Sequence, residues 1–319
     1  MKQSLLIAIA ICFAIAGRSQ IVNIPDANFK AYLVGNSAIN TNGDGEIQLS
    51  EAAAFTGAIS VGSLSIFDLA GIEAFTALTN LYCQDNFLTN ISISACTMLT
   101  RLDCYNNFLT TLDISSNTSL VILLCDRNSL TNLDVSNNTS LISLGCNQNS
   151  LTSLNLPNSS TLKTLYCQSN SLTNLDVSGC PGIQTLWCFF NSLTNLNVSN
   201  CIILKDLNCN SNLLTNLDIR NGNNTFMNFY GIANPQLYCI LVDDSTWANN
   251  NWSSDKDSWA WFSNNCTVGI EEYRQDNTTE VTIYDLYGRK VNRINKFQVY
   301  VVRTKSNGKY STKKVVLIQ

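Results

Sequence analysis

Apolar residues return along this chain with a period that fits neither an isolated helix nor an ordinary strand. From about Leu78 to Asp218 the unit L-x-x-L-x-C-x-x-N-x-L-T-x-L-D/N-V/I-S repeats seven times without a gap. Its cysteines, Cys83, Cys104, Cys125, Cys146, Cys167, Cys188 and Cys209, are 21 residues apart. A leucine lies two residues before each cysteine, an asparagine three after and a leucine five after. A fixed period of this length is the mark of stacked coils, each unable to bury its apolar edge alone. Leucine and cysteine at alternate positions predict a short strand facing inward, and parallel stacking sets successive strands about 4.8 Å apart. Seven coils then rise through about 34 Å. A second apolar pair, such as Leu133 and Val135, lines the opposite wall. The asparagines turn the chain out of each strand, where stacked amides satisfy backbone groups that an apolar side chain would strand.

Before the regular coils, Phe29, Tyr32 and Leu33 recur at helical spacing behind Asp26, and Ser50 to Phe55 reads as a second short helix with Ser50 as N-cap. Two amphipathic helices in residues 20–58 suit an N-terminal cap on the first coil. Ile66, Leu69, Ile72, Phe75 and Leu78, three apart, mark degenerate coils, so the repeats span 59–233. The period fails over 234–269, although Asn234 to Asp244 still resembles one strand of the array. Trp247, Trp252, Trp259 and Trp261 fall in that stretch, an aromatic-rich C-terminal cap.

The repeat unit resembles the leucine-rich repeat, with cysteine where leucine is usual in the strand. The fold expected is therefore a leucine-rich-repeat solenoid of parallel strands with a helical N-terminal cap and a small C-terminal β module.

That module is visible in charge. Residues 20–269 carry 7 basic and 18 acidic residues, whereas 270–319 carry 10 basic and 5 acidic. A change of sign of this kind marks a boundary. Val281–Val291 and Val299–Thr304 read as strands, and Ser306–Lys309 as a hairpin turn into Lys313–Ile318. Through I-Y-D-L-x-G-R, V-Y-V-V-R and the terminal K-K-V-V, residues 270–319 resemble the C-terminal sorting domain of the Bacteroidetes type IX secretion system. The Tyr-Pro-Asn-Pro opening of such domains is missing, and Gln298 stands where glycine usually precedes V-Y. The resemblance implies recognition by the secretion machinery and removal of the tail near residues 267–275. At the other end, Lys2, the apolar stretch Leu5–Ala16 and Gly17-Arg18-Ser19 read as a signal peptide of residues 1–19. That stretch is too short to span a bilayer comfortably, and no other transmembrane candidate follows. The chain is thus expected to be secreted or held at the outer-membrane surface.

The chain contains no histidine, which removes the commonest general base and transition-metal ligand, and no nucleophile motif is present. With only 13% charged residues, nothing suggests a nucleic-acid partner. Binding of a protein or glycan partner, not catalysis, is the expected role. Positions flanking the inward cysteines vary while the frame does not. Among them Tyr82, Tyr105, Tyr166, Trp187 and Phe189, with Phe190 beside them, form the expected ligand-binding set on the concave wall. Cys239 and Cys266 flank the tryptophan cap outside the period and are the expected disulfide. The ladder thiols are expected to be buried, free and structural.

One further pattern concerns metal. Asn40, Asn42, Asp44, Glu46, Gln48 and Glu51 occupy positions 1, 3, 5, 7, 9 and 12 of an EF-hand-like loop, with Gly45 at position 6. Asparagine replaces the usual aspartate at position 1, so only Asp44 and Glu51 bring charge directly and Ca2+ would be weakly held. Ion binding to the folded cap raises its stability by linkage. Melting is expected to shift upward in about 10 mM Ca2+, above weak extracellular affinities, and the shift to vanish in Glu51→Ala. An unchanged melting temperature leaves a metal-free Asn/Gly turn.

Overall fold

The computed structural model describes residues 20–266, the backbone of strands 279–285, 299–306 and 309–316, and Lys290. Residues 1–19, expected as a signal peptide, and the Leu286–Arg289 part of the tail motif lie outside the described residues.

The first cap helix, α1, spans Ala27–Val34 and buries Phe29 and Leu33. Its N-cap is Asp26, whose Oδ1 accepts the N–H groups of Asn28 and Phe29 at 3.0 Å. The other carboxylate oxygen of Asp26 accepts the N–H of Phe67 at 2.8 Å and ties the helix to the first coils. The second helix, α2, spans Leu49–Ala54 and begins earlier than its sequence suggests. Ser50 lies inside it, and the N-cap is Gln48 in extended backbone. The cause is Glu51, whose Oε2 accepts the N–H of Gln48 at 3.0 Å and so closes the first turn from the third position.

Nine three-residue strands then stack in parallel into one sheet, from Ala58–Ser60 through Asn80–Tyr82, Arg101–Asp103 and their successors to Asn228–Tyr230. The register follows the period: Leu81 pairs Leu102, Leu102 pairs Leu123 and Leu165 pairs Leu186. The buried leucine sits mid-strand and the ladder cysteine directly after the strand, both fully inaccessible. The chain is a leucine-rich-repeat-type solenoid. Its back wall is interrupted. Asn132–Asp134 pairs with Ser153–Asn155, while Asn195–Asn197, Asn216–Asp218, Cys239–Leu241 and Trp261–Ser263 form a separate four-stranded sheet.

Each coil leaves its concave strand through a left-handed residue two positions after the cysteine: Asp85, Asn106, Arg127, Gln148, Ser169, Phe190 and Ser211, with φ between 51° and 57°. None is glycine, so each costs on the order of 1–2 kcal/mol of local strain. The next residue holds the bend. Asn107 Nδ2 donates to the carbonyls of Cys104 in its own coil and Cys83 in the preceding one, at 3.1 and 3.0 Å. Its Oδ1 accepts the N–H of Leu88 at 3.0 Å, again in the preceding coil. The same pattern recurs at Asn128, Asn149, Asn170, Asn191 and Asn212. It continues at Asn234, one coil beyond the sequence period, where Asp257 receives the N–H groups of Ala233 and Asn234.

A second internal ladder runs along the back turn. Asn117 Nδ2 donates to the carbonyls of Ile93 and Cys96, and Asn138 Nδ2 to those of Ile114 and Asn117. Where cysteine takes this place, its thiol reaches a preceding coil's carbonyl instead: Cys96 that of Ile72, Cys180 that of Pro157. Gly222, at the same place in the frame, turns outward with φ 74°, and the buried Asn224 bonds inward in its stead.

At the C-terminal end α3, Ser245–Asn251, is capped by Asp244. Trp252 packs against Phe229, Trp247 and Phe262, covering the last coil. Cys239 and Cys266 are joined in a disulfide. The tail strands 279–285, 299–306 and 309–316 make a three-stranded antiparallel sheet with the central strand in the middle.

Asn128→Ala removes the acceptor of Leu109 N–H and a donor to three carbonyls. Each stranded group costs about 1–3 kcal/mol, so urea unfolding is expected to show a loss of roughly 3–5 kcal/mol. Asn174→Ala, at an exposed site on the back wall, is expected to stay within about 0.5 kcal/mol.

Candidate functional site

Strand geometry sends the residues before and after each ladder cysteine to the outer face of the nine-stranded sheet. The row before cysteine runs Tyr82, Asp103, Leu124, Gly145, Tyr166, Trp187, Asn208; the row after runs Gln84, Tyr105, Asp126, Asn147, Gln168, Phe189, Asn210. The structure does not bring the six expected ligand-binding residues into one patch. Tyr166, Trp187, Phe189 and Phe190 form a continuous run with ring centroids 5.0, 6.3 and 5.5 Å apart. Trp187 and Phe189 are half-buried by this packing, while Phe190, on its left-handed turn, is 60% exposed. Tyr82 and Tyr105 stand apart in the first coils. The Arg101 guanidinium lies 5.2 Å over the Tyr82 ring. Burial and a hydrogen bond to Asp85 raise the pKa of the Tyr105 phenol.

The first coils also hold a feature missed in the sequence, a group of carboxylates on three adjacent coils. Asp103 points from the concave sheet yet is only 6% exposed. Its Oδ2 lies 3.5 Å from Arg101 Nη2, and its Oδ1 meets no donor. Burial raises its pKa, partly opposed by Arg101 and by the backbone N–H of Tyr105. Asp126 leans across Gly145, where an added Cβ would come within 2.7 Å of its Oδ2. It accepts the N–H and the side-chain amide of Asn147. Burial nevertheless pushes its pKa up to about 6. Asp85, on the left-handed turn of the first regular coil, accepts from Asn106 Nδ2 at 2.7 Å. The signal was present once coils are overlaid: three aspartates at variable positions of consecutive repeats.

Buried polar atoms without a hydrogen-bond partner cluster on this face. Gln84 Oε1, Arg101 Nε, Asp103 Oδ1, Gln168 Oε1, Trp187 Nε1 and Asp206 Oδ1 all belong to it; the two others among the described residues, Asn117 and Asn138 Oδ1, are in the back-turn ladder. On the back wall, shallow grooves of about 350 and 260 Å³ open where strands are not paired, one beside Asp113 and Asp134, one beside Asp176 and Asn197. A second aromatic row, Phe67, Phe87 and Phe108, stacks on the rim with centroids 4.9 and 6.2 Å apart and is also exposed.

In the EF-hand-like loop the side chains bond within the loop, except that Glu46 pairs with Lys30 and Asn40 Nδ2 donates to the Val34 carbonyl. Glu51 Oε1 accepts from Thr41 N, Thr41 Oγ1 and Asn42 N. Burial raises the Glu51 pKa, but the bonds from Gln48, Thr41 and Asn42 outweigh it and leave the carboxyl below its usual value. Asn40 Oδ1 accepts from Gly43 N, Asn42 and Gln48 direct side-chain amides at Asp44 Oδ2, and Glu46 pairs with Lys30 at 2.7 Å. Among the described residues no three Cys, Asp or Glu side chains are grouped to hold a metal ion. The ladder thiols are free and buried, and burial raises their pKa, to about 12 at Cys167 and Cys209. No helix among the described residues is long and apolar enough to cross a membrane.

Three solved structures from Listeria monocytogenes align with this chain. The functional domain of InlJ from Listeria monocytogenes, described as including a cysteine ladder, aligns at 22% identity over 94% of this chain and 99% of that one, with a TM-score of 0.35. The internalin InlF of Listeria monocytogenes aligns at 19% identity over 71% and 73%, with a TM-score of 0.49. Internalin C2 of the same species aligns at 18% identity over 75% and 94%, with a TM-score of 0.45. No family model matches the sequence, and no curated protein matches it.

Asp126 carries a raised pKa, so its folded-state contribution is fully present below the unfolded value of 3.8 and is lost as pH rises through about 6. Asp126→Asn is therefore expected to raise the melting temperature at pH 8, with the gain disappearing below pH 4. Thermal melts across that range check the sign.

Proposed function

We propose that this chain is an exported recognition protein that binds a protein partner through its concave wall at or outside the cell surface. The observation that carries this reading is the gathering of partnerless buried polar atoms and a continuous aromatic run on one face. Native proteins pair such atoms almost without exception, so a face that concentrates them is built for groups supplied from outside. Half-buried aromatics beside them are the residues that dominate binding energy at interfaces. The signal peptide expected in residues 1–19 and the sorting-domain resemblance of 270–319 support export by the type IX machinery. The aromatic run beside the amides of Asn147 and Gln168 also favours a second reading, an accessory glycan-binding protein serving a polysaccharide-degrading system.

Probing an extracellular-protein array and a glycan array with the full chain separates the two. Protein hits are expected, weakened at least tenfold by Trp187→Ala with Phe189→Ala and unchanged by Thr110→Ala with Thr152→Ala on the back wall. Melting temperatures of both variants are expected within a few degrees of the parent. Glycan hits with the same mutational pattern select the second reading, and hits insensitive to Trp187 and Phe189 move the site off the concave wall.

A further inference from the structure

The concave wall divides into two chemically different halves. The aromatic run lies in the fifth and sixth regular coils. Asp85, Asp103 and Asp126 lie in the first three, around Tyr105. In the stacked rows Tyr105 stands between Gln84 and Asp126, and Asp103 faces outward two residues before it on the same coil. Two cations lie beside the three carboxylates: Arg101 Nη2 makes a salt bridge to Asp103 Oδ2 at 3.5 Å, and Arg127 turns its Nε to Gln148 Oε1 at 2.7 Å. Asp103 is the sharpest anomaly: a carboxylate more than nine-tenths buried, on the ligand-facing side of the sheet, with one oxygen that no donor meets. Gly145 adds to it by leaving a notch into which Asp126 leans.

We propose that Asp85, Asp103 and Asp126, around the Tyr105 ring, form the recognition site for a lysine or arginine side chain presented by a protein partner. This deepens the function proposed above and rests on it. A cation supplies the donors that Asp103 Oδ1 lacks, in bonds about twice as strong as neutral ones. Tyr105 adds a ring face for the same charge. A neutral sugar brings no positive charge to offset the burial of Asp103 and Asp126. A metal ion fits worse, because these carboxylates are not grouped as a ligand set. Asp103 and Trp187 are four coils apart, about 19 Å. The partner therefore presents its cation about 19 Å from an apolar group, the span of roughly 13 residues of helix.

Protonation gives a second readout. The groups facing Asp126 are Asp103 on the preceding coil, Arg127 on its own turn and neutral Asn147 on the next. Asp85, Arg101 and the backbone N–H of Tyr105 face Asp103. A docked cation favours the ionised form of Asp126, so affinity rises as pH climbs through about 6, and binding near that pH releases protons.

The test uses the full chain and pentalysine, with fully acetylated pentalysine and cellopentaose as the uncharged arms, followed by calorimetry at low salt. Pentalysine is expected to bind at pH 7.5 and to lose at least tenfold in affinity on acetylation. A loss of at least tenfold is also expected in Asp103→Asn with Asp126→Asn, and again when wild type is moved to pH 5. Gly145→Ala, which displaces Asp126 without changing charge, is expected to weaken binding severalfold. Asp113→Asn with Asp134→Asn on the back wall, a change of equal charge, is expected to leave it within twofold. Thermal melts show that each variant is folded. No binding of pentalysine, equal losses in the two double variants, or tighter binding of cellopentaose overturns the proposal. Trp187→Ala with Phe189→Ala is expected to leave pentalysine binding intact, so failure of the wider concave-wall reading is recognisable separately by array hits that ignore those residues.

Discussion

The asparagine ladder is the interaction on which the solenoid depends. Every coil must reverse direction within a few residues of its strand, and it does so through a left-handed, non-glycine residue that is locally unfavourable. The following asparagine offsets that strain by binding carbonyls in its own coil and the preceding one while accepting an N–H from the latter. One amide therefore closes the bend and docks the coil at once. A stack of such coils is stabilised chiefly between neighbours, which is the energetic signature of repeat proteins.

Fixing the frame this way frees the concave face from structural duty. The leucines and cysteines beneath it are fully buried and in register whatever projects above them. The face can therefore carry groups that oppose folding. Asp126, held near pH 6 by burial, and Asp103, with an oxygen that no donor meets, are such groups.

Most of the frame was legible in the sequence because each element recurred seven times: the inward leucine and cysteine, the asparagine turn and the apolar back wall. The N-terminal helices were legible through helical spacing and the small C-terminal sheet through its strand and turn pattern. Two local details were not. Ser50 looks like an N-cap by residue type, yet Glu51 reaches back to Gln48 and moves the helix start. Asn234 belongs to the ladder although an inserted residue in the coil before it breaks the period. Of the site, outward positions followed from strand alternation, but their grouping did not. Whether Tyr82 and Tyr105 join the aromatic run depends on coil number, whereas the burial of Asp103 and the tilt of Asp126 over Gly145 depend on neighbours one coil away in space and 21 residues away in sequence.

The in-register stacking also makes the molecule a ruler graduated in whole coils. The acidic and aromatic halves are held apart by complete repeats, so their separation changes only in steps of about 4.8 Å. A gene that gains or loses one 21-codon unit between Asp126 and Tyr166 shifts the two halves by one such step while every rung of the ladder finds an equivalent partner. Length of chain is thereby converted directly into spacing between the acidic and aromatic groups, with no residue of either half altered.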